Sequence, residues 1–288
     1  MSDWSVINAP LAPGLYIVAT PLGHARDITL RALDVLAAAN AIYCEDTRVS
    51  GKLMARYGIA TPRLAYHEHN AQRMRPKILQ RLAEGAALAL ISDAGTPLVS
   101  DPGLPLVRAA RAAGHNVFAV PGASAPIAAL SVAGLATDRF SFAGFLPSKK
   151  QARQTALQEL SGAPGTLVLF ESANRLAALM ADVAAMTPQR EAVIARELTK
   201  KFEEVISGTA EDLAARLKDM PVKGECVVLL AAPPPENMDA AALDNALVAA
   251  LASNSLRDAV QMVMSAYGLP KKQVYARALA LSKQEKEV

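Results

Sequence analysis

Residues 88–103 read Leu88-Ala-Leu-Ile-Ser-Asp-Ala-Gly-Thr-Pro-Leu-Val-Ser-Asp-Pro-Gly103. An apolar run from Ala86 to Ile91 has the length of a buried strand, and it stops abruptly. Two acids, two glycines and two prolines then follow within the eleven residues 93–103. This punctuation predicts a strand emptying into a shaped loop, with a helix beginning near Leu104. Loops at the carboxyl ends of strands in open α/β sheets are where ligands sit, because backbone amides and short side chains converge there. The same acids could instead cap the helix at Leu104, and the segment alone leaves both readings open.

Outward from this segment the pattern repeats. Strands are expected at Leu15–Ala19, Ala41–Cys44, Arg63–Tyr66 and Val117–Val120, and three of them end in loops rich in small, proline or charged residues: Thr20-Pro21-Leu22-Gly23, Glu45-Asp46-Thr47-Arg48, and Pro121-Gly122-Ala123-Ser124-Ala125. Helical patterns follow, with Ile28, Leu30, Leu33 and Leu36 in the first, a stop at Gly58 in the second, and Pro76–Glu84 with Gly85 and Leu104–Ala113 with Gly114 later. Alternation of this kind argues a parallel sheet with helices on both faces. The loops contain no GxGxxG, GxxxxGKS or GxSxG, so dinucleotide, nucleoside triphosphate and serine hydrolase chemistry lack their usual signatures. A small organic cofactor held by backbone groups and small side chains is the expected occupant.

The chain has 288 residues, enough for two domains, and a formal charge of +3, which permits an RNA partner without demanding one. Cys44 and Cys226 stand far apart in apolar runs, as expected of reduced thiols in a cytosolic protein. Met1 to Pro13 lacks the apolar core of a signal peptide, and Pro121, Gly122, Pro126 and Gly134 break the uncharged stretch 116–137, so no membrane segment is expected. His67 and His69, in the tetrapeptide His67-Glu68-His69-Asn70, would share one face of an extended segment. No further cluster of histidine or cysteine completes a metal site, and none is expected.

From Phe140 the pattern changes. Strands at Phe140–Phe145, Thr166–Phe170, Ala192–Arg196, Glu203–Ser207 and Glu225–Ala231 are interleaved with only three helices, near Lys150–Leu160, Arg175–Met186 and Ala210–Leu217. Two strands joined by a short polar turn predict a mixed sheet in a separate domain. Residues 1–136 and 137–232 are the expected domains, and a proline-rich linker then leads into a helical extension, together 233–288. The extension has helix-turn-helix spacing through Val263, Gly268, Leu269 and Val274, with Lys271, Lys272 and Arg277 on the would-be recognition helix. Thr209 with Asp212 and Ser255 with Asp258 mark helix starts.

Taken together and in order, seven segments carry a specific resemblance: Thr20–Gly23, Glu45–Arg48, His67–Asn70, Ser92–Pro97, Pro121–Ser124, Ala195–Lys200 and Lys223–Glu225. The set resembles the ribosomal RNA small subunit methyltransferase I family, of the tetrapyrrole-methylase-like class of S-adenosylmethionine enzymes, over residues 14–231. The tail resembles that family's helical extension. Two departures stand out: Asn174 occupies the place of a histidine, and the loop after Gly23 reads His24-Ala25-Arg26 where an asparagine is common.

The resemblance implies two α/β domains of tetrapyrrole-methylase type clasping S-adenosylmethionine, a homodimer, and 2′-O-methylation of a cytidine in the decoding region of 16S ribosomal RNA. The cofactor is expected against Pro21, Leu22, Gly23, Asp93, Ala94, Gly95, Thr96, Val99, Ser100, Ala123, Ser124 and Ala125, with Phe170 and Leu198 from the second domain. RNA is expected on His67, Asn70, Lys271, Lys272 and Arg277. The charged residues at strand ends, Asp46, Arg48, Glu171, Arg196, Glu197 and Lys200, are the candidates for chemistry. Among them Arg48 and Arg196 would hold phosphates, and Glu171 or Lys200 would stand nearest the hydroxyl. A set of inter-domain ion pairs is the alternative for these charges. Two other functions compete: a methylase of the same fold acting on a tetrapyrrole or a protein side chain, and a non-catalytic RNA-binding assembly factor.

Overall fold

The computed structural model describes residues 9–219, 224–232, 240–267 and 271–284. Five parallel strands, β1 (Gly14–Val18), β2 (Ala41–Cys44), β3 (Arg63–Ala65), β4 (Ala87–Leu90) and β5 (Val117–Val120), form a sheet in the order β3-β2-β4-β1-β5. Every residue of β4 is buried, which is why it reads as an unbroken apolar run. On one face α1 (Leu30–Ala38) and α2 (Thr47–Arg56) bring Leu33, Leu36 and Met54 against Val18 and Ile42. On the other, α3 (Glu68–Ala83) and α4 (Leu104–Ala112) bring Ile78, Leu82 and Leu106 against Leu15, Tyr43 and Leu88. Because β4 lies between β1 and β2, the loops that follow these three strands open side by side.

The second sheet has the order β6-β7-β10-β8-β9, with β6 (Phe140–Phe145), β7 (Thr166–Ser172), β8 (Glu191–Arg196), β9 (Glu204–Thr209) and β10 (Glu225–Leu230). Only β6 and β7 are parallel, so the sheet is mixed as expected. Helices α6 (Lys150–Leu160), α7 (Ala173–Met186) and α8 (Ala210–Asp219) accompany it, and Leu157, Leu179 and Leu213 pack in the core of one face. The opposite face is covered by α5 (Ala125–Ala133), a helix that follows β5 of the first sheet; its Ala129 and Leu130 pack on Val168, Val193 and Val227. The tail helices α9 (Ala240–Leu251), α10 (Leu256–Tyr267) and α11 (Lys271–Gln284) enclose their own core of Leu243, Leu247, Val260, Val263, Val274 and Ala278. Gly268, Leu269 and Lys223 lie outside the described residues.

Three expectations are corrected. The tetrapeptide 67–70 is not extended: Asn70 accepts the His67 backbone N–H at 3.0 Å and donates to the Ala65 carbonyl at 3.0 Å, which starts α3 at Glu68. Helix α3 therefore begins eight residues before Pro76 and runs through it. That proline removes one helical hydrogen bond, but buried Ile78 and Leu82 anchor the turns beyond it. Strand β7 continues to Ser172, so Glu171 belongs to a strand and not to a loop. Among the described residues no helix is long and apolar enough to cross a membrane.

Candidate functional site

The loops after β1, β4 and β5 are stitched together by backbone and hydroxyl groups. Thr20 and Gly95 exchange N–H···O bonds of 2.8 and 2.9 Å, the Thr20 hydroxyl donates to the Ser92 carbonyl at 3.0 Å, and the Thr96 hydroxyl donates to the Ala123 carbonyl at 2.9 Å. Gly95 sits at φ +77°, where a side chain is strained, and an added Cβ would press on Leu22 at 3.2 Å. The acids of residues 93–103 do not cap α4: its N-cap is Gly103, and no side chain caps it. The loop reading of the segment prevails.

Opposite these loops stand the ends of β7, β8 and β10 and the segment 197–203. Besides the packing of α5 on the second sheet, the two walls touch at both ends of the gap among the described residues. At one end the His24 N–H donates to the Thr199 hydroxyl at 3.1 Å, and Gly23 lies so close to the Lys200 stem that a Cβ would come to 2.3 Å. At the other, a Cβ on Gly144 would stand 2.9 Å from the Ser100 hydroxyl. Between these contacts lies a cavity of about 470 Å³, within the range of ligand pockets. Among the described residues the non-glycine residues with positive φ are Leu98, Ser100, Glu197 and Thr199, two on each facing segment. Each such residue costs about 1–3 kcal/mol, and strain of this kind gathers where function requires a shape.

The first wall is acidic. Glu45, Asp93 and Asp101 all line the cavity. Burial raises the Asp93 carboxyl, and burial together with the like charges of Glu45 and Asp93 pushes Asp101 up to about 6 against a hydrogen bond from Ser92. On the second wall the Lys200 ammonium is 2.9 Å from Glu197 and 2.8 Å from Glu225. Burial works against its charge, but those two carboxylates outweigh burial and raise its pKa, so it stays protonated at neutral pH. Burial pushes the Cys226 thiol up to about 11, which leaves it neutral. Leu22, Val99, Phe170 and Leu198 supply apolar surface. Acids for a cationic centre, small residues that admit backbone contact and apolar walls for a ring are the groups that S-adenosylmethionine requires, so the residues present fit it.

Of the expected cofactor contacts, Leu22, Asp93, Ala94, Gly95, Thr96, Val99, Ser100, Ser124, Ala125, Phe170 and Leu198 line the cavity, whereas Pro21, Gly23 and Ala123 do not; Ala123 accepts the Thr96 hydroxyl, and Gly23 abuts the Lys200 stem. The charged residues divide differently. Asp46 caps α2 and pairs with Arg48 at 2.6 Å, which holds the Asp46 carboxyl at about 2. Arg196 pairs with Glu204 at 2.9 Å. Neither pair lines the cavity or crosses it, so these are ion pairs within one wall. Glu171 contributes to the lining, but its side chain is wholly buried. Alternation along β7 puts it on the face opposite Phe170. There one oxygen accepts the Ser172 N–H at 2.7 Å, and the other, buried without a hydrogen-bond partner among the described residues, stands 3.1 Å from the Arg175 guanidinium, which holds the carboxylate within its own wall.

His67 and Asn70 start α3 and lie off the cavity. Arg277 is ion-paired with Asp244, and the side chains of Lys271 and Lys272 are outside the described ones. Sequence reasoning missed Asp101, Phe145 and Cys226 as parts of the lining. Among the described residues no group of histidine, cysteine and acidic residues could hold a metal.

The sequence matches the family of Tetrapyrrole (Corrin/Porphyrin) Methylases over residues 14–214 and the RsmI C-terminal HTH domain over residues 237–282. Ribosomal RNA small subunit methyltransferase I of Mesorhizobium japonicum is 48% identical, covering 94% of this chain and 93% of that protein. Among solved structures, diphthine synthase is similar with a TM-score of 0.61 at 17% identity, covering 76% of this chain and 89% of that one. Uroporphyrin-III C-methyltransferase from Thermus thermophilus, solved with S-adenosyl homocysteine, has a TM-score of 0.55 at 19% identity, covering 76% and 97%. These two likenesses establish the fold, and with the near relative and the two family matches the chain belongs to the tetrapyrrole methylase family, in its ribosomal RNA small subunit methyltransferase I branch.

Proposed function

We propose that this chain transfers a methyl group from S-adenosylmethionine to RNA of the small ribosomal subunit, at the ribose 2′-hydroxyl of a cytidine in the decoding region of 16S RNA, working as a homodimer. The observation that carries the reading is a strained, two-walled cavity with an acidic side, in a chain whose near relative bears the name of a small subunit RNA methyltransferase. S-adenosylmethionine supplies an electrophilic methyl on a sulfonium. Asp93 to Thr96 and Ser124 to Ala125 would hold it through backbone and small groups, and Glu45 and Asp93 would oppose its positive charge.

The remaining work falls to positioning and to one proton. A ribose hydroxyl is a weak nucleophile, so it must be held in line while its proton is accepted. Lys200 is a cation braced by two carboxylates and orients the second wall. Glu171 is buried and ion-paired with Arg175. Asp101 is the carboxylate whose affinity for a proton falls near the working pH, and it is the proton acceptor in this reading. The test is methyl transfer from labelled cofactor to purified small subunits lacking the modification, with nucleotide-resolved mapping. Label on one cytidine ribose is expected. Label on a tetrapyrrole or protein offered in parallel, or cofactor-free RNA binding alone, would overturn the proposal.

A further inference from the structure

Strand β6 carries an irregularity with a chemical consequence. Its register against β7 runs Phe142 to Val168 and then Gly144 to Leu169, so Ala143 is an extra residue. In a regular strand Phe142 and Phe145 would point to opposite faces; the bulge reverses the parity. Both rings therefore meet Phe170, at centroid distances of 4.9 and 5.4 Å. Gly144, at φ +65° beneath Ser100, makes the bulge possible. The result is a ring in the cavity wall that remains 56% exposed.

The segment that follows is basic and held from behind. Lys149 and Lys150 are exposed, and among the described residues neither has an ion-pair partner. They open α6 where the helix dipole favours acids, a local conflict that folding alone does not call for. Arg175 donates to the Leu146 carbonyl at 2.6 Å while paired with buried Glu171. Arg153 donates to the Ser148 carbonyl at 3.2 Å while locked, 2.7 Å away, to buried Asp182. Two buried carboxylates thus orient two arginines, and each arginine clamps one carbonyl between Phe145 and Lys149. Such a backing preorganises a binding segment.

We propose that Phe145–Lys150 is an RNA clamp: Phe145 stacks on the base of a nucleotide drawn out of the RNA, and Lys149 and Lys150 take its flanking phosphates. This rests on RNA being the substrate of the same cavity. The cavity is lined by Glu45, Asp93 and Asp101 on one wall and by Glu197 and Glu225 beside Lys200 on the other, so the exposed Lys149 and Lys150, close to Phe145 in the chain, are the cations placed to draw a polyanion to its mouth. A nucleotide whose base has left the stack brings its ribose hydroxyl furthest into a cavity between two walls, and an aromatic face replaces the lost stacking. Glu171 is then a positioning residue, acting through Arg175.

The test measures three quantities for the wild type, Phe145→Ala, Phe145→Trp and the double variant Lys149→Ala/Lys150→Ala: the cofactor Kd by calorimetry, direct binding of a single-stranded RNA spanning the target, and kcat and KM for methyl transfer to small subunits. Phe145→Ala is expected to weaken RNA binding and raise KM by about 5- to 150-fold, with kcat and cofactor Kd changed less than about twofold, and Phe145→Trp to restore both. The lysine pair is expected to lower the salt slope of RNA binding by about 1.4. Equal loss of cofactor and RNA affinity in Phe145→Ala would assign the ring to the cofactor and overturn the clamp, as would unchanged RNA binding. A wild type that transfers no methyl to RNA, while its RNA binding still depends on Phe145, would overturn the proposed activity and leave the clamp standing.

Discussion

Asp101→Asn removes one charge from the acidic wall and keeps the shape. Burial and the neighbouring carboxylates push Asp101 up to about 6 from an ordinary 3.8. At ~1.4 kcal/mol per pH unit this corresponds to ~3 kcal/mol, and because the side chain keeps partial contact with water the penalty is nearer roughly 1–2 kcal/mol. Below about pH 4 the carboxyl is protonated in both folded and unfolded chains and contributes nothing. Between about 4 and 6 the unfolded chain has released its proton and the folded one has kept it, so stability falls as the pH rises. Above about 6 both are ionised and the penalty is complete. Urea unfolding should therefore find the asparagine variant more stable than wild type by roughly 1–2 kcal/mol at pH 8, with the difference vanishing near pH 4. The same variant should slow single-turnover transfer by at least about a hundredfold, and its residual rate should lose the acid limb near pH 6. A stability gain that ignores pH refutes the burial argument. A stabilised variant with wild-type rates refutes the assignment of the proton to Asp101.

Three further outcomes are expected. Gly95→Leu puts a branched side chain at φ +77° against Leu22 and should abolish cofactor binding with the circular dichroism spectrum unchanged; retained micromolar affinity would displace the cofactor from this loop. Asp182→Ala strands the buried Arg153 guanidinium and should cost about 3–5 kcal/mol in chemical unfolding, so a loss under ~1 kcal/mol would show that the pair is not the anchor described. Neutralising Lys271, Lys272 and Arg277 together should lower the salt slope of RNA binding without touching cofactor affinity, and because Arg277 is already bound to Asp244 its single replacement should move the slope least; an unchanged slope would make the tail a structural bundle.

What the sequence made legible follows from what is local. Strands β2, β5 and β6 and helix α6 fall on the residues that periodicity predicts, because each pattern is complete within its own segment. The cavity loops were legible for the same reason: glycine, proline and small residues at strand ends announce a backbone shape whatever lies across from them. The side-chain chemistry was not, because it depends on partners and parity. Asp46 and Arg48, two residues apart, satisfy each other. Glu171 sits one residue beyond the strand end that periodicity suggested, and that single step of alternation sets its carboxylate against Arg175. Phe145 looked like the last residue of an ordinary strand, since the extra Ala143 that redirects it becomes visible only in the register against β7. Asp101 resembled a helix cap until Gly103 took that position. The same three residues separate two kinds of charged and aromatic groups at strand ends: those satisfied within one wall, which hold loops still, and those left facing the opposite wall. Glu171, ion-paired with Arg175, belongs to the first kind, Asp101 and Phe145 to the second, and it is the second kind that a substrate entering the cavity meets.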